Sequence, residues 1–310
     1  MVKDSKIGWT DDTFSGVRGC TKVSPACTYC YAEEFENRFN QVVWGANGTR
    51  IMTGAANWKN PIKWDRQQAE ENAKNGTKKR RKVFTASLSD VFEDWGGDVL
   101  DRKQAAKYTM QQVRERLFLE LIDKTPNLVW LILTKRPENI LRFWVPKADG
   151  RTYRDNVWLG TTVENQEYVE KRVPLLAKAR RLTDVLFLSC EPLLGSISLW
   201  PDAMEDCPNA EGLIMDPTTG AYECCSRCDY TGIGDKPIID WVIAGCESGK
   251  SRRPSELQWF RSLRDECKEY EIPFFMKQMA IGKKVETNVK AFPKDLQVQE
   301  SPSPDFAEAI

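Results

Sequence analysis

The chain has 310 residues, 41% of them hydrophobic, which suits one barrel-sized domain with a buried core and excludes wholesale disorder. Lys+Arg and Asp+Glu both number 45, so the formal net charge is zero and a general basic coat for nucleic acid is excluded. There are ten cysteines and no histidine, which excludes Ser-His and Cys-His nucleophilic pairs and His-ligated zinc or iron.

No apolar run approaches the ~20 residues needed to span a bilayer, and the N-terminal residues 1–6 are polar. A cytoplasmic protein with no membrane partner is expected. In that compartment cysteines point to metal or catalysis before disulfides.

In chain order, the first feature is Gly19-Cys20-Thr21-Lys22-Val23-Ser24-Pro25-Ala26-Cys27-Thr28-Tyr29-Cys30, a C-x6-C-x2-C loop, with a helical stretch over 31–39. Residues 72–82 form a polar, basic run. The apolar run 83–86 leads into Ser87-Leu88-Ser89-Asp90. A helical pattern covers 105–122, where Met110, Val113, Leu117 and Leu121 recur at three- and four-residue spacing. Run 128–133 leads into Thr134-Lys135-Arg136-Pro137, run 157–160 into Thr161-Thr162-Val163-Glu164, and run 185–188 into Ser189-Cys190-Glu191-Pro192. An insertion over 203–236 carries four cysteines. Run 238–244 leads into Gly245-Cys246-Glu247-Ser248-Gly249. A second helical pattern covers 255–270, with Ser255 as its N-cap. Run 272–275 leads into Met276-Lys277-Gln278. The stretch 285–310 lacks periodicity and reads as a mobile extension to a single domain over 1–284.

Continuous apolar runs bounded by turn signals suit strands buried on both faces. Alternation with helices predicts an α/β fold, a partial or complete (β/α) barrel of parallel strands with a Cys-rich insertion. In such barrels the loops after the strands build the active site.

Cys20, Cys27 and Cys30 are three thiolate donors. Three thiolates hold three irons of a 4Fe-4S cubane and leave the fourth open to the amino and carboxylate groups of S-adenosyl-L-methionine (SAM). Zinc is the alternative, but a closed site needs a fourth ligand and no histidine is present.

The ordered motifs Trp9-Thr10, Gly19-Cys20, Cys27-Thr28-Tyr29-Cys30-Tyr31-Ala32-Glu33, Thr134-Lys135-Arg136-Pro137, Gly160-Thr161-Thr162-Val163-Glu164, Ser189-Cys190-Glu191-Pro192-Leu193, Gly245-Cys246-Glu247-Ser248-Gly249 and Phe274-Phe275-Met276-Lys277-Gln278 resemble a phage-associated radical-SAM-like family. The resemblance spans residues 7–284. It implies an isomerase that moves the linkage of a glycinyl group on the thymine methyl carbon from nitrogen to the glycine α-carbon, in phage DNA hypermodification within the host cytoplasm. Modified DNA and a reductant for the cluster are the implied partners. The first gap between cysteines is three residues longer than in the commonest radical SAM pattern, C-x3-C-x2-C. Alternatives are a radical SAM enzyme acting on a tRNA base or a DNA lesion, and a zinc-stabilised nucleic-acid-binding module without catalysis.

Tyr29, Ser87, Ser89, Asp90, Glu164 and Glu191 are candidates for SAM contacts, the glutamates alternatively for rim salt bridges. Cys246, Glu247 and Lys277 are the candidate catalytic residues: Cys246 or Cys190 as hydrogen-atom donors, Lys277, Lys135 or Arg136 for a substrate carboxylate or phosphate, and Glu247 for an ammonium. Cys207, Cys224, Cys225 and Cys228 form a second constellation, suited to zinc or an auxiliary iron–sulfur cluster. The run 78–82 and Arg252-Arg253 are candidates to track a DNA backbone. Trp44, Trp58, Trp64 and Trp95 are candidates to stack a base.

Overall fold

All six apolar runs form neighbouring parallel strands. The computed structural model describes residues 5, 7–39, 42–199, 213–215, 222–224, 238–249 and 251–303. Its main sheet has eight strands: β1 (Asp12–Phe14), β2 (Arg81–Thr85), β3 (Leu128–Thr134), β4 (Val157–Thr162), β5 (Val185–Cys190), β6 (Trp241–Gly245), β7 (Phe274–Ile281) and β8 (Lys284–Glu286). Their spatial order follows the chain, β1 to β8. Every pair from β1 to β7 is parallel, and β8 returns antiparallel to β7. The sheet is a curled, open half-barrel with edges at β1 and β8, so the expected barrel is partial.

The strands are buried on both faces. Alternation sends Phe84, Leu131, Trp158, Phe187, Trp241 and Phe275 to the concave side, where they pack with Trp9 as an aromatic plug. Trp241 meets Trp9, Trp158 and Phe275 edge-on at centroid distances of 6.2, 5.9 and 6.2 Å, the arrangement that the ring quadrupoles favour. The opposite residues, such as Val83, Ile132, Leu159, Leu188 and Val242, join the larger core beneath the helices.

The helices are α1 (Tyr31–Asn37), α2 (Ala55–Asn75), α3 (Met110–Glu115), α4 (Ile140–Phe143), α5 (Gln166–Ala177) and α6 (Leu257–Glu269). Helix α3 opens on a capping box between Thr109 and Gln112 and continues as a π segment, Arg116–Leu121. The predicted helix over 105–122 is therefore shorter at its start, where Lys107–Tyr108 pairs with Val99–Leu100 instead. In α6, Phe260, Leu263 and Cys267 of the apolar periodic set are buried, but its first member, Leu257, is 40% exposed, and the N-cap position belongs to Glu256 rather than Ser255. Helix α2 has no counterpart in the sequence reading.

Beyond β8 the chain packs back over the sheet. Phe292 and Leu296 enter the main core. Val298 O accepts from Met276 N at 2.9 Å, and Glu300 N donates to Phe274 O at 2.9 Å. Two apolar anchors and backbone bonds to β7 thus connect the extension, as far as residue 303, to the sheet. Of the insertion, Leu213–Met215 and Tyr222–Cys224 form an antiparallel pair. Cys207, Cys225 and Cys228 lie outside the described residues. Among the described residues no helix is long and apolar enough to cross a membrane.

Candidate active site at the mouth of the half-barrel

Period-two alternation carries past the aromatic plug to the C-terminal strand ends. Thr162 follows Trp158 and Gly160, Glu191 follows Phe187 and Ser189, Glu247 follows Ile243 and Gly245, and Lys277 follows Phe275. All four border a cavity of about 410 Å³ whose base includes Trp9, Phe84 and Leu133 of the concave cluster. That volume lies within the ~300–1,000 Å³ usual for small-ligand sites.

Cys20, Cys27 and Cys30 border the same cavity, half-buried, on the loop that closes over it. Gly19 begins the loop at φ +104°, and a Cβ there would lie 2.4 Å from Thr49 O, so neither the backbone angle nor the space admits another residue. A 3-10 turn, Pro25–Cys27, comes next, and Cys30 takes the N-cap position of α1.

Strand-end side chains hold this loop down. Thr21 N donates to Glu93 Oε1 at 2.9 Å, and Arg136 Nη2 donates to Thr21 O at 2.7 Å. Ala26 N donates to Glu164 Oε1 at 3.1 Å. Arg253 Nη2 donates to Pro25 O at 2.9 Å, and the Tyr31 hydroxyl donates to Ser87 O at 2.7 Å. Under the loop runs a buried ion network. Arg50 Nε lies 2.7 Å from Glu93 Oε2, and Arg136 Nη1 lies 2.9 Å from Asp90 Oδ2. Removing one partner of such a pair costs about 3–5 kcal/mol, because it strands the other charge.

Arg136 Nη1 also stands 3.5 Å from Cys20 Sγ. Burial pushes the Cys20 thiol up to about 12 against the pull of that guanidinium. Burial likewise pushes Cys246 up to about 11. Cys190 is wholly buried against the main core, and its thiol is raised further by burial.

The cavity brings together most of the expected residues: Tyr29, Ser87, Ser89, Asp90, Glu191, Cys246, Glu247 and Lys277. Glu164 is not among its lining residues. Its carboxylate is fully buried, one oxygen on Ala26 N and the other 2.9 Å from Arg172 Nη1. It positions the cysteine loop and has no oxygen left for a cofactor. Asp90 borders the cavity, but its oxygens accept from Phe92 N, Thr134 Oγ1, Lys135 N and Arg136 Nη1. Glu247 is bound by both sides of the Arg253 guanidinium, which itself lies 5.4 Å from the Tyr29 ring centroid.

The basic run lies at the opposite, N-terminal end of β2. Arg80 is buried against Pro126 O and Asp155, and Arg81 pairs with Asp12, so two of the five charges in 78–82 are spent within the fold. Of the four tryptophans, only Trp44 borders the cavity. Trp58 packs edge-on against Phe14, Trp64 lies against the main core, and Trp95 lies under Arg50. Tyr29, Tyr31, Phe35 and Phe39 are between 42% and 54% exposed on the loop and along α1, and of these Tyr29 and Tyr31 border the cavity as its aromatic rim.

Trp9, Thr162 and Gln278 are among the cavity residues that escaped the sequence reading as site residues. Counting in twos from Trp158 would have found Thr162. Gln278 donates to Cys246 O at 2.7 Å and to Ser248 Oγ at 2.9 Å, fixing the β6 loop.

Among the described residues, no three Cys, Asp or Glu side chains converge to hold one metal ion. The donor chemistry still fits a cluster: three thiols on one loop, no histidine anywhere in the chain, and a shared cavity beside them with room for a ligand.

Fold and site define an α/β half-barrel protein with a cysteine loop over its C-terminal mouth. The chain belongs to the family described as "Protein of unknown function (DUF5131)", whose model matches residues 4–300. No curated protein and no solved structure matches it.

Proposed function

We propose that this protein is a radical SAM isomerase converting N-linked glycinyl-thymidine to the Cα-linked form in phage DNA. The observation that carries the reading is the shared cavity, with Cys20, Cys27 and Cys30 on its loop wall and polar strand ends on its barrel wall. Cys20, Cys27 and Cys30 would hold a 4Fe-4S cluster. Together with bound SAM, this group supplies one-electron hydrogen abstraction, fed by a reductant of the host cytoplasm.

The chain's own residues suit that chemistry. Asp90, Glu164 and Glu247 are each neutralised by an arginine, and Glu191 faces Lys277. Among the described residues the cavity therefore offers no unpaired carboxylate, and the chain offers no histidine, to take a proton from a glycine α-carbon. A radical route needs no such base. Cys246 carries its S–H at neutral pH, as an ordinary thiol does, and burial pushes it up further, to about 11; S–H is the state that hydrogen-atom donation requires. The rim aromatics offer faces for an extruded base, each stacking contact contributing about 1–3 kcal/mol.

The test is anaerobic reconstitution followed by incubation with SAM and DNA carrying N-linked glycinyl-thymidine. A brown protein that forms 5′-deoxyadenosine is expected. The nucleoside product should have unchanged mass and shifted retention and fragmentation. SAM turnover without that shift defeats the isomerase and leaves another nucleic-acid substrate. A colourless zinc protein inert towards SAM defeats the radical SAM reading altogether.

A further inference from the structure

The base of the cavity holds three buried polar atoms without hydrogen-bond partners: Trp9 Nε1, Thr162 Oγ1 and Glu191 Oε1. Trp9 is 2% exposed, Thr162 is fully buried, and the Glu191 side chain is 10% exposed. Folded proteins partner nearly all such atoms. The neighbouring threonines obey the rule: Thr161 Oγ1 donates to Thr134 O at 2.9 Å, and Thr134 Oγ1 donates to Asp90 at 2.7 Å. Trp9 Nε1 and Thr162 Oγ1 thus lack any partner that the protein supplies, and Glu191 Oε1 has only the misaligned Lys277 ammonium.

Charge narrows what their partner is. Lys277 Nζ lies 2.8 Å from Glu191 Oε1, paired by charge without the alignment of a hydrogen bond. The other Glu191 oxygen accepts a long bond from Ser189 Oγ, at 3.5 Å. Glu191 reaches this position across β6 because Gly245 has no side chain: a Cβ there would stand 2.6 Å from Glu191 Oε1. The base thus offers the Lys277 ammonium and the Trp9 N–H as donors, the Glu191 carboxylate as acceptor and the Thr162 hydroxyl as either.

We propose that the base of the cavity recognises an amino-acid group, a carbon bearing both an ammonium and a carboxylate. The ligand carboxylate accepts from Lys277 and Trp9, and its ammonium donates to Glu191 and Thr162. A purely anionic ligand would draw off Lys277 and strand Glu191. A purely cationic one would strand Lys277. An amphoteric group replaces one ion pair by two and satisfies all three orphaned atoms. Of the two ligands that the proposed function supplies, the glycinyl substituent of the modified thymidine carries this chemistry free, whereas the amino and carboxylate groups of SAM would go to the open iron. Naming this ligand rests on the function proposed above; the amino-acid chemistry rests on the orphaned atoms and the charge pair alone.

The test is calorimetric titration of the anaerobically reconstituted full chain with SAM and, separately, with the N-linked glycinyl-thymidine nucleoside and its carboxamide. Variants are Lys277→Met, Glu191→Gln and the isosteric Thr162→Val, each first confirmed folded by thermal melting. For the true occupant, Lys277→Met weakens the acid about tenfold or more, as loss of a charged hydrogen bond does. The carboxamide is unaffected by that change. Glu191→Gln weakens both acid and carboxamide about tenfold, and Thr162→Val weakens both about threefold. The nucleoside showing the loss assigns the base to the substrate; SAM showing it while the nucleoside does not overturns the subsite. Binding that survives Lys277→Met and Glu191→Gln within about twofold overturns the subsite alone. Wild-type protein that binds neither ligand overturns the functional reading and the subsite together.

Discussion

Strand-end carboxylates at this site divide into two kinds. Asp90, Glu164 and Glu247 each face an arginine and brace the site, whereas Glu191 has Lys277 off-line and an orphaned oxygen. The sequence shows four carboxylates at strand ends but not this division. It depends on helix phase and loop path: Arg172 reaches Glu164 from α5, and Arg253 reaches Glu247 from the loop before α6. The distinction predicts unequal mutants. Glu164→Gln leaves Arg172 buried against a neutral amide and weakens the hold on Ala26, lowering stability by about 3 kcal/mol. Glu191→Gln costs less, since the Lys277 ammonium that it leaves unpaired is 19% exposed and can take water in place of the carboxylate. Denaturant midpoints measure both, and amide exchange at Ala26 should quicken in the first variant only. Equal midpoints would show that Glu164 does not carry the loop.

At the scale of elements, strands were legible and one long helix was not. A strand buried on both faces must be apolar at successive positions, so β2 to β7 announce themselves. Strand β1 has three residues, one of them Asp12, which pairs with Arg81, so no apolar run marks it. Helix α2 buries Trp58, Pro61, Gln68 and Asn72, two of them amides, and so shows no apolar stripe. Its C-terminal turn consequently read as part of a free basic run. Asn72 organises that turn instead: its Oδ1 accepts from Gln68 Nε2, Thr77 Oγ1 and Lys79 N, and its Nδ2 donates to Lys79 O at 2.8 Å. Asn72→Ala should cost about 2 kcal/mol by leaving buried polar groups unpaired. Ligand affinity at the cavity should be unchanged, because the turn lies at the far end of β2 from it. A melt indistinguishable from wild type would return 72–82 to the status of a solvated segment.

For the whole molecule, the open half-barrel leaves β7 dependent on the segment C-terminal to β8. That segment supports it through two side chains and a few backbone bonds. Isolated anchors of this kind leave no periodic signal in the sequence. Phe292 is 3% exposed and Leu296 fully buried, and Trp241 Nε1 donates to Glu300 O at 2.8 Å. The segment therefore ties the aromatic plug to the sheet edge. Thr287 and Gln299 border the cavity as well, so the same segment helps to shape the site. Truncating either anchor removes its transfer energy and leaves a void. Phe292→Ala and Leu296→Ala should each cost about 3 kcal/mol. If the segment is one cooperative unit, limited proteolysis within 287–303 should rise in both variants, and ligand affinity should fall with it although neither side chain borders the cavity. Independent behaviour, with stability lost but proteolysis and affinity unchanged, would mean that the anchors fill the core without holding the segment across β7.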